Sequence, residues 1–503
     1  MILTQQSPLV PKLDINTYQM FIGGDFVDGS GGEFIERASP AHGVVVSRYA
    51  KANATDAESA ILSARRAFDT GPWPRMKGAE RSRILFKVAD MIEARLEEMA
   101  RLDTLESGKP IVQAHGEMVG AVDIWRYAAA LARDVHGESY DTLGEQTLGA
   151  VVREPIGVVA IITPWNFPFL IASQKLPFAL AAGCTTVVKP SELTSASTLA
   201  LGKILMDAGL PAGAVNIIAG TGPEVGAPMV SHPAVDMISF TGSTRVGKSA
   251  MAAASETLKR LSFELGGKNP QIVFPDADMD AAADAIVFGA FFNVGQCCNA
   301  GSRLLVHESI AAELLTEVSA RASTAVVGDP LDEATKIGAI ITAEHLGKIE
   351  AYISQGQAAG ASIMLGGKRI AKGSGQFLAP TIIDGVTPGM AVARDEVFGP
   401  VLSVLTFRSR EEAIALANDA DYGLSASVWS RDFDTCMSVA RRVRAGTVWI
   451  NTFMDGFPEL PFGGYRQSGI GRELGRHAVE DYTETKTLTM HIGPRTGWWL
   501  PRA

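Results

Sequence analysis

Cysteine is scarce: Cys184, Cys297, Cys298 and Cys436 are the only four in 503 residues. Their spacing forms no disulfide framework, and adjacent residues such as Cys297 and Cys298 hold their side chains badly for a mutual bridge. Free thiols in a reducing compartment are expected, and no metal-ligating set is predicted. No run of 18 apolar residues occurs, and the first residues, MILTQQSPLVPKLD, lack the basic and apolar regions of a secretory signal. The sequence therefore predicts a cytoplasmic protein outside the membrane. Basic residues are outnumbered, 45 against 55 acidic, for a net charge of −10. That balance argues against nucleic acid and anionic membranes as partners. Short internal repeats and low-complexity linkers are also missing.

Hydrophobic residues make up 47% of the chain and charged ones 20%, which suits large buried cores. The length exceeds one ordinary core, and about 150 residues per domain gives two to four units. TDAESAILSARRAF predicts a helix, with Thr55 and Glu58 at capping-box spacing and Ile61, Ala64 and Phe68 on one face. ERSRILFKVADMIEARLEEMARL reads as one long helix ending before Gly108 and Pro110. From residue 151, VVAIIT, TTVVK, VNIIAG, DMISF and LSFEL alternate with helical segments, the βαβ signature of a parallel sheet. NPQIVF, RLLVH, SVLTF and TVWIN repeat the alternation beyond residue 268. Residues 136 to 155 break the rhythm and predict a projecting ribbon.

Several stretches carry candidate chemistry. GSTRVGKS, Gly242 to Ser249, fits the phosphate-loop pattern between a strand and a helix, with Lys248 as its lysine and Asp276 as a candidate magnesium-binding strand end. A P-loop NTPase, a dinucleotide pyrophosphate site and a plain turn are all compatible with it, since any glycine-rich turn entering a helix offers N–H groups to phosphate. GTGPEVG, with Gly222 and Gly226, misses the dinucleotide fingerprint by one residue. TPWNFP closes a strand with two prolines, which either make a stiff turn or hold the Asn166 amide for a developing oxyanion. KPSE ends the next strand, where Lys189 and Glu192 either start a solvated helix or bind ribose hydroxyls. FELGGK sets Glu264 before two glycines that permit close approach. FFNVGQCCNAG offers two thiols as candidate nucleophiles.

Taken in order, TPWNFP, KPSE, FTGSTRVGK, FELGGK, GQCCNAG, EVFGPV and PFGGYRQSGIGRE resemble the aldehyde dehydrogenase superfamily, in its NAD(P)-dependent, non-phosphorylating members, from about residue 20 to 490. The resemblance implies an α/β fold. It consists of a modified Rossmann NAD domain (1–133 and 156–267), an α/β catalytic domain (268–482) and a small bridging sheet (134–155 and 483–503) that joins subunits into a homodimer or homotetramer. It implies Cys298, not Cys297, as nucleophile, because the family's G-Q-x-C pattern places it second after the glutamine; Cys297 then packs inward. Glu264 is implied as the base that activates water, Asn166 as an oxyanion donor, and Lys175 and Glu473 as a proton path.

The same resemblance implies NAD as cofactor, preferred over NADP. Thr163, Trp165, Lys189, Ser191, Glu192, Gly222, Gly226, Phe240, Gly242, Ser243, Val246, Leu265, Glu396 and Phe398 would hold it. Lys248 becomes incidental. A small-molecule aldehyde would meet Phe167, Gln174, Phe292, Cys297, Asn299, Phe453 and Phe462 and leave as the carboxylic acid after water attack. The loop NTFMDGFPELPFGG is similar to that of the betaine aldehyde and aminoaldehyde branch. Gln174 stands where that branch has a tryptophan, and Phe167 and Phe453 replace tyrosine and tryptophan. A quaternary ammonium needs rich π faces, so this departure counts against betaine aldehyde. The last segment, HIGPRTGWWLPRA, is expected to dock Trp498, Trp499 and Leu500 across a subunit interface.

Overall fold

A computed structural model describes residues 15–494, 497, 499 and 500. Two sheets dominate it. The first has eight strands, in the spatial order Gly469–Ile470, Arg260–Glu264, Met237–Thr241, Val158–Ile162, Thr185–Lys189, Val215–Ile217, Met20–Ile22 and Asp25–Val27. Its five central strands are parallel, and antiparallel strands close both edges. Chain order runs outward from Val158–Ile162 in one direction to Val215–Ile217, then restarts on the other side at Met237–Thr241. That reversal is a topological switch point, where open α/β sheets bind ligands beyond the carboxyl ends of the strands.

The second sheet has seven strands, ordered Ser362–Leu365, Thr381–Asp384, Val401–Phe407, Arg303–His307, Pro270–Val273, Ser425–Trp429 and Thr447–Ile450, all parallel except the first. The central strands of both sheets are buried along their length, apart from the part-buried Ile162 at the end of Val158–Ile162, as covered faces require of mostly apolar runs. Every strand expected from the sequence is present. The ribbon at 136 to 155 forms Glu138–Tyr140 and Thr147–Pro155, and Thr483–His491 pairs with the latter over nine residues. Eight of the nine residues of Thr483–His491 are exposed, and its outer edge is unpaired among the described residues.

Two helix expectations need correction. The first helix, Ala54–Asp69, is capped two residues earlier than expected: Asn53 accepts from Thr55 and Asp56 N–H, and Asp56 accepts from Asn53 N–H in return. Asn and Asp satisfy the orphan amides as well as Thr and Glu do, and Glu58 is left exposed on the next turn. The long second helix is two, Gly78–Glu93 and Leu96–Ser107. No breaker divides them; the second half redirects to pack against strand Val45–Ala50, and Arg95 pairs with Glu98 at the joint. Gly108, at φ +82°, ends it, with Ala339 O only 2.9 Å from where a Cβ would lie.

Candidate functional site

Four turns leave the carboxyl ends of the first sheet's parallel strands, and each carries a motif. Thr163 to Phe167 follows Val158–Ile162, Pro190 to Glu192 follows Thr185–Lys189, Gly242 and Ser243 follow Met237–Thr241, and Leu265 to Gly267 follow Arg260–Glu264. The strand register sets these turns side by side: Ile162 opposes Lys189, and Thr241 opposes Glu264.

The cysteine loop reaches this edge from the second half of the chain. Asn293, Val294 and Gly295 all have positive φ. A Cβ on Gly295 would lie 2.2 Å from Gly399 O, so the turn tolerates only glycine. Buried side chains hold the loop. Asn293 donates to Asn166 O at 2.8 Å and Gln296 O at 3.0 Å, Gln296 accepts from Ile341 N–H at 3.0 Å, and Asn269 donates to Cys298 O and Ala300 O at 2.9 Å. The Asn166 side-chain amide donates to Gln296 O at 3.1 Å. One of its N–H groups is thus spent on the cysteine loop and the other remains available near it.

Cys298 is half-buried while Cys297 is buried. Cys297 packs inward, among Phe167, Ile171 and Ala300, and its thiol donates to Asn299 Oδ1 at 2.8 Å. The two sulfurs still interact: a hydrogen bond with the Cys297 thiol, and then burial, hold the Cys298 thiol well above its ordinary range. Glu264 is buried and both its carboxylate oxygens lack a hydrogen-bond partner. Burial, then the nearby Glu473 charge, raises its carboxyl well above the usual range against the opposing pull of Lys175; the Cys298 sulfur adds to the rise. Lys175 and Glu473 form a fully buried ion pair. Phe462 forms a two-way backbone bridge with Glu473 at 2.7 Å. These groups therefore converge from four separate stretches of sequence.

The cofactor candidates divide. Thr163 Oγ1 is buried without a partner. Lys189 is buried, donates to Pro190 O at 3.0 Å and lies 3.6 Å from Glu192, whose carboxylate is part-exposed. Ser191 is buried beside them. A Cβ on Gly226 would lie 3.8 Å from Lys189 Cδ, while one on Gly222 would meet open space. Ser243 caps helix Thr244–Ala254, accepting from the exposed Val246 N–H at 3.4 Å. Glu396 accepts from Gly267 N–H at 3.0 Å, and burial pushes its carboxyl up to about 7. Trp165, Phe398 and His345 form an aromatic cluster, with Trp165 and Phe398 edge to face at 5.3 Å. Phe398 holds the left-handed φ of +56°, and its carbonyl lies 2.7 Å from His345 Nε2. Phe240 and Leu265 are buried supports beneath this surface: a Cβ on Gly242 would strike Phe240 at 2.5 Å, and one on Gly247 would strike Leu265 at 2.6 Å.

Lys248 is exposed and donates to Gln467 Oε1 at 2.8 Å. Asp276 lies in the turn after Pro270–Val273 of the other sheet and accepts from Ser430 Oγ and from the Arg431 and Asp432 N–H groups, each at 2.9 Å. Neither arrangement favours an NTPase. Among the described residues, no three His, Cys, Asp or Glu side chains are grouped to hold a metal.

Of the residues expected to meet an aldehyde, Gln174 and Phe292 line a cavity of about 1070 Å³ together with Leu170 and Met454. Phe453 does not join them. Its ring sits in the core of the second sheet, 5.1 Å from Trp449 and close over Gly289, and Met454 packs on the Phe167 and Cys297 cluster instead. Asn269, Asn293, Gln296, His345 and Met454 escaped the sequence reading. Only the density of polar residues around GQCC hinted at the first three.

Residues 26–488 match the aldehyde dehydrogenase family model, and the chain belongs to that family. It is 42% identical to a betaine aldehyde dehydrogenase of Bacillus subtilis over 96% of this chain and 99% of that protein. It is also 42% identical to an aminoaldehyde dehydrogenase of Zea mays, covering 98% and 99%. Among solved structures, an NAD-dependent aldehyde dehydrogenase from Sinorhizobium meliloti superimposes with a TM-score of 0.97 at 49% identity, over 99% of both chains. A betaine aldehyde dehydrogenase from Staphylococcus aureus, in complex with NAD+, gives 0.94 at 39%, over 96% of this chain and 97% of that one.

Proposed function

We propose that this chain oxidises an aldehyde to its carboxylic acid with NAD as acceptor, using Cys298 as nucleophile and Glu264 as hydrolytic base. The observation that carries the reading is the meeting of a half-buried thiol, an unpartnered buried carboxylate and a side-chain amide with one free N–H at a single switch-point edge. The residues suit NAD. Lys189 and Glu192 offer a cation and an acceptor to ribose hydroxyls, the N-terminus of Thr244–Ala254 offers amides to a pyrophosphate, and Glu396 lies at the cysteine end of the same edge. Burial and Cys297 oppose ionisation of Cys298, so its thiolate forms more readily as pH rises.

The thiolate attacks the carbonyl carbon, and the resulting alkoxide is stabilised by the Asn166 amide and the Cys298 N–H. NAD, when bound, supplies the hydride acceptor. The thioester left on Cys298 is then attacked by water, whose proton Glu264 takes in its carboxylate form. The buried Lys175–Glu473 pair offers that proton a route onward. The acid departs and the thiolate is restored. Residues 1–133 and 156–267 are assigned to cofactor binding and 268–482 to catalysis. The sheet of Glu138–Tyr140, Thr147–Pro155 and Thr483–His491 is assigned to subunit contact: its edge strand Thr483–His491 presents Leu488 and Met490 to solvent, and exposed edges invite pairing with a second copy.

Trp498 of the expected docking tail lies outside the described residues, and Trp499 is 93% exposed within this chain. No helix among the described residues is long and apolar enough to cross a membrane, and a cytoplasmic location fits the free thiols. Incubation with NAD and a panel of aldehydes tests the function; appearance of NADH with an equal yield of acid supports it. Absence of both with every aldehyde, or strict dependence on coenzyme A, refutes it.

A further inference from the structure

The cavity lined by Gln174 and Phe292 is wide and mostly apolar, and two of its three acidic groups are paired. Its volume of about 1070 Å³ reaches the upper end of small-molecule sites. Leu170, Val287, Phe288, Phe292, Met454 and Phe457 form much of its wall. Leu170, Phe292 and Met454 also pack against the cluster of Phe167, Ile171, Cys297 and Ala300, so this wall continues toward the cysteine loop. Three acidic groups face the cavity. Glu117 is buried and paired with the buried Lys109, Asp284 is paired with Arg321 at 3.5 Å, and Asp123 sits exposed at the surface, where water weakens its field.

The aromatic ring in the Cys297 cluster is also engaged. Phe167 is 7% exposed, the Lys109 ammonium lies 4.5 Å from its ring centroid, and Phe292 lies almost parallel to it at 6.2 Å. A cation on a substrate gains from a ring only when it can reach a free π face. Here the Lys109 ammonium, itself paired with Glu117, already holds that face, so a substrate cation finds it occupied. Gln174 adds no π surface to the wall.

We propose that the preferred substrate is a neutral aldehyde bearing a bulky apolar group, and that Lys109, through its seat on Phe167, is a positioning residue for this specificity. The proposal rests on the aldehyde-oxidising reading above. Betaine aldehyde and 3,3-dimethylbutanal separate charge from shape, since they differ only in a nitrogen cation against a neutral carbon. The wild-type enzyme is expected to show a kcat/KM for the neutral compound more than about tenfold higher; any smaller preference overturns the proposal. If neither is oxidised while propanal is, the proposal fails and the oxidation reading stands. If propanal also yields no NADH, the oxidation reading itself fails.

Replacing both members of the buried pair, Lys109→Met with Glu117→Gln, avoids leaving one charge alone. It should bring the ratio toward one, and an unchanged ratio removes Lys109 as the determinant. Inhibition of the wild type by 3,3-dimethylbutan-1-ol against choline gives the same comparison without a variant. Stronger inhibition by the alcohol is expected, and stronger inhibition by choline would contradict the proposal.

Discussion

Replacing Glu264 with glutamine separates the two halves of the proposed reaction. The side chain is seated tightly, with its Oε1 2.8 Å from where a Cβ on Gly463 would lie, so an isosteric amide fills the same space. Neither carboxylate oxygen has a hydrogen-bond partner, so the change breaks no bond that holds the fold. What it removes is the base. General-base catalysis contributes about 10²–10⁴-fold, or about 3–5 kcal/mol of barrier at about 1.4 kcal/mol per tenfold.

Rapid mixing of Glu264→Gln with NAD and aldehyde should therefore release about one NADH per site in a burst, followed by turnover slowed by about that factor. The wild-type steady state should rise with pH, because the raised Glu264 carboxyl gains its basic form only as pH climbs through that raised range. The variant's slow phase should lose this titration. An absent burst in a folded variant would refute the order of steps, since it would place Glu264 before the oxidation.

Three further outcomes follow from the geometry. Gly266→Ala would set a Cβ 2.4 Å from Glu396 Oε2 and displace that carboxylate, so NAD affinity by tryptophan fluorescence titration should fall about tenfold or more; unchanged affinity would remove Glu396 from the cofactor site. NAD should outperform NADP in kcat/KM because Glu192 repels a 2′-phosphate, and Glu192→Gln should narrow the ratio; a wild type preferring NADP contradicts this. Burial raises the Glu106 carboxyl to about 7 from 4.5, so its stabilising contribution is full below about 4.5 and is lost as pH rises through about 7, on the order of 3 kcal/mol in all. Glu106→Gln, which can still accept from Ala196 N–H and donate to Ser47 Oγ, should flatten urea stability between pH 4.5 and 8, and an unchanged slope would reject the assignment.

The central strands are legible because burial on both faces selects short, mostly apolar β-branched runs, broken only by small or hydrogen-bonding residues such as Thr185, Thr186, Ser239 and Ser427. Helix limits were less legible. Asn53 and Asp56 compete with Thr55 and Glu58 for the same capping role, and only the backbone geometry chooses between them. The buried charges Asp103, Glu106, Lys109 and Glu117 were invisible as core, since charged residues on a helix or its end read as a solvated face until their partners are known. Phe453 and Met454 show the limit at the site. Adjacent residues in a loop turn opposite ways, and sequence does not say which one lines the cavity. Cys298 was chosen over Cys297 by motif register, and the difference in burial between the two thiols agrees with that choice.

Comparison of Cys298→Ala with Cys297→Ala tests the central claim most directly. Both variants should fold, since each removes one sulfur beside a loop held by Asn269, Asn293 and Gln296. Single-turnover NADH formation should vanish in Cys298→Ala, together with trapping of a covalent acyl adduct by mass spectrometry. Cys297→Ala should keep both, with most of the wild-type turnover. Equal loss in the two variants, or an adduct mapped to Cys297, would contradict the account.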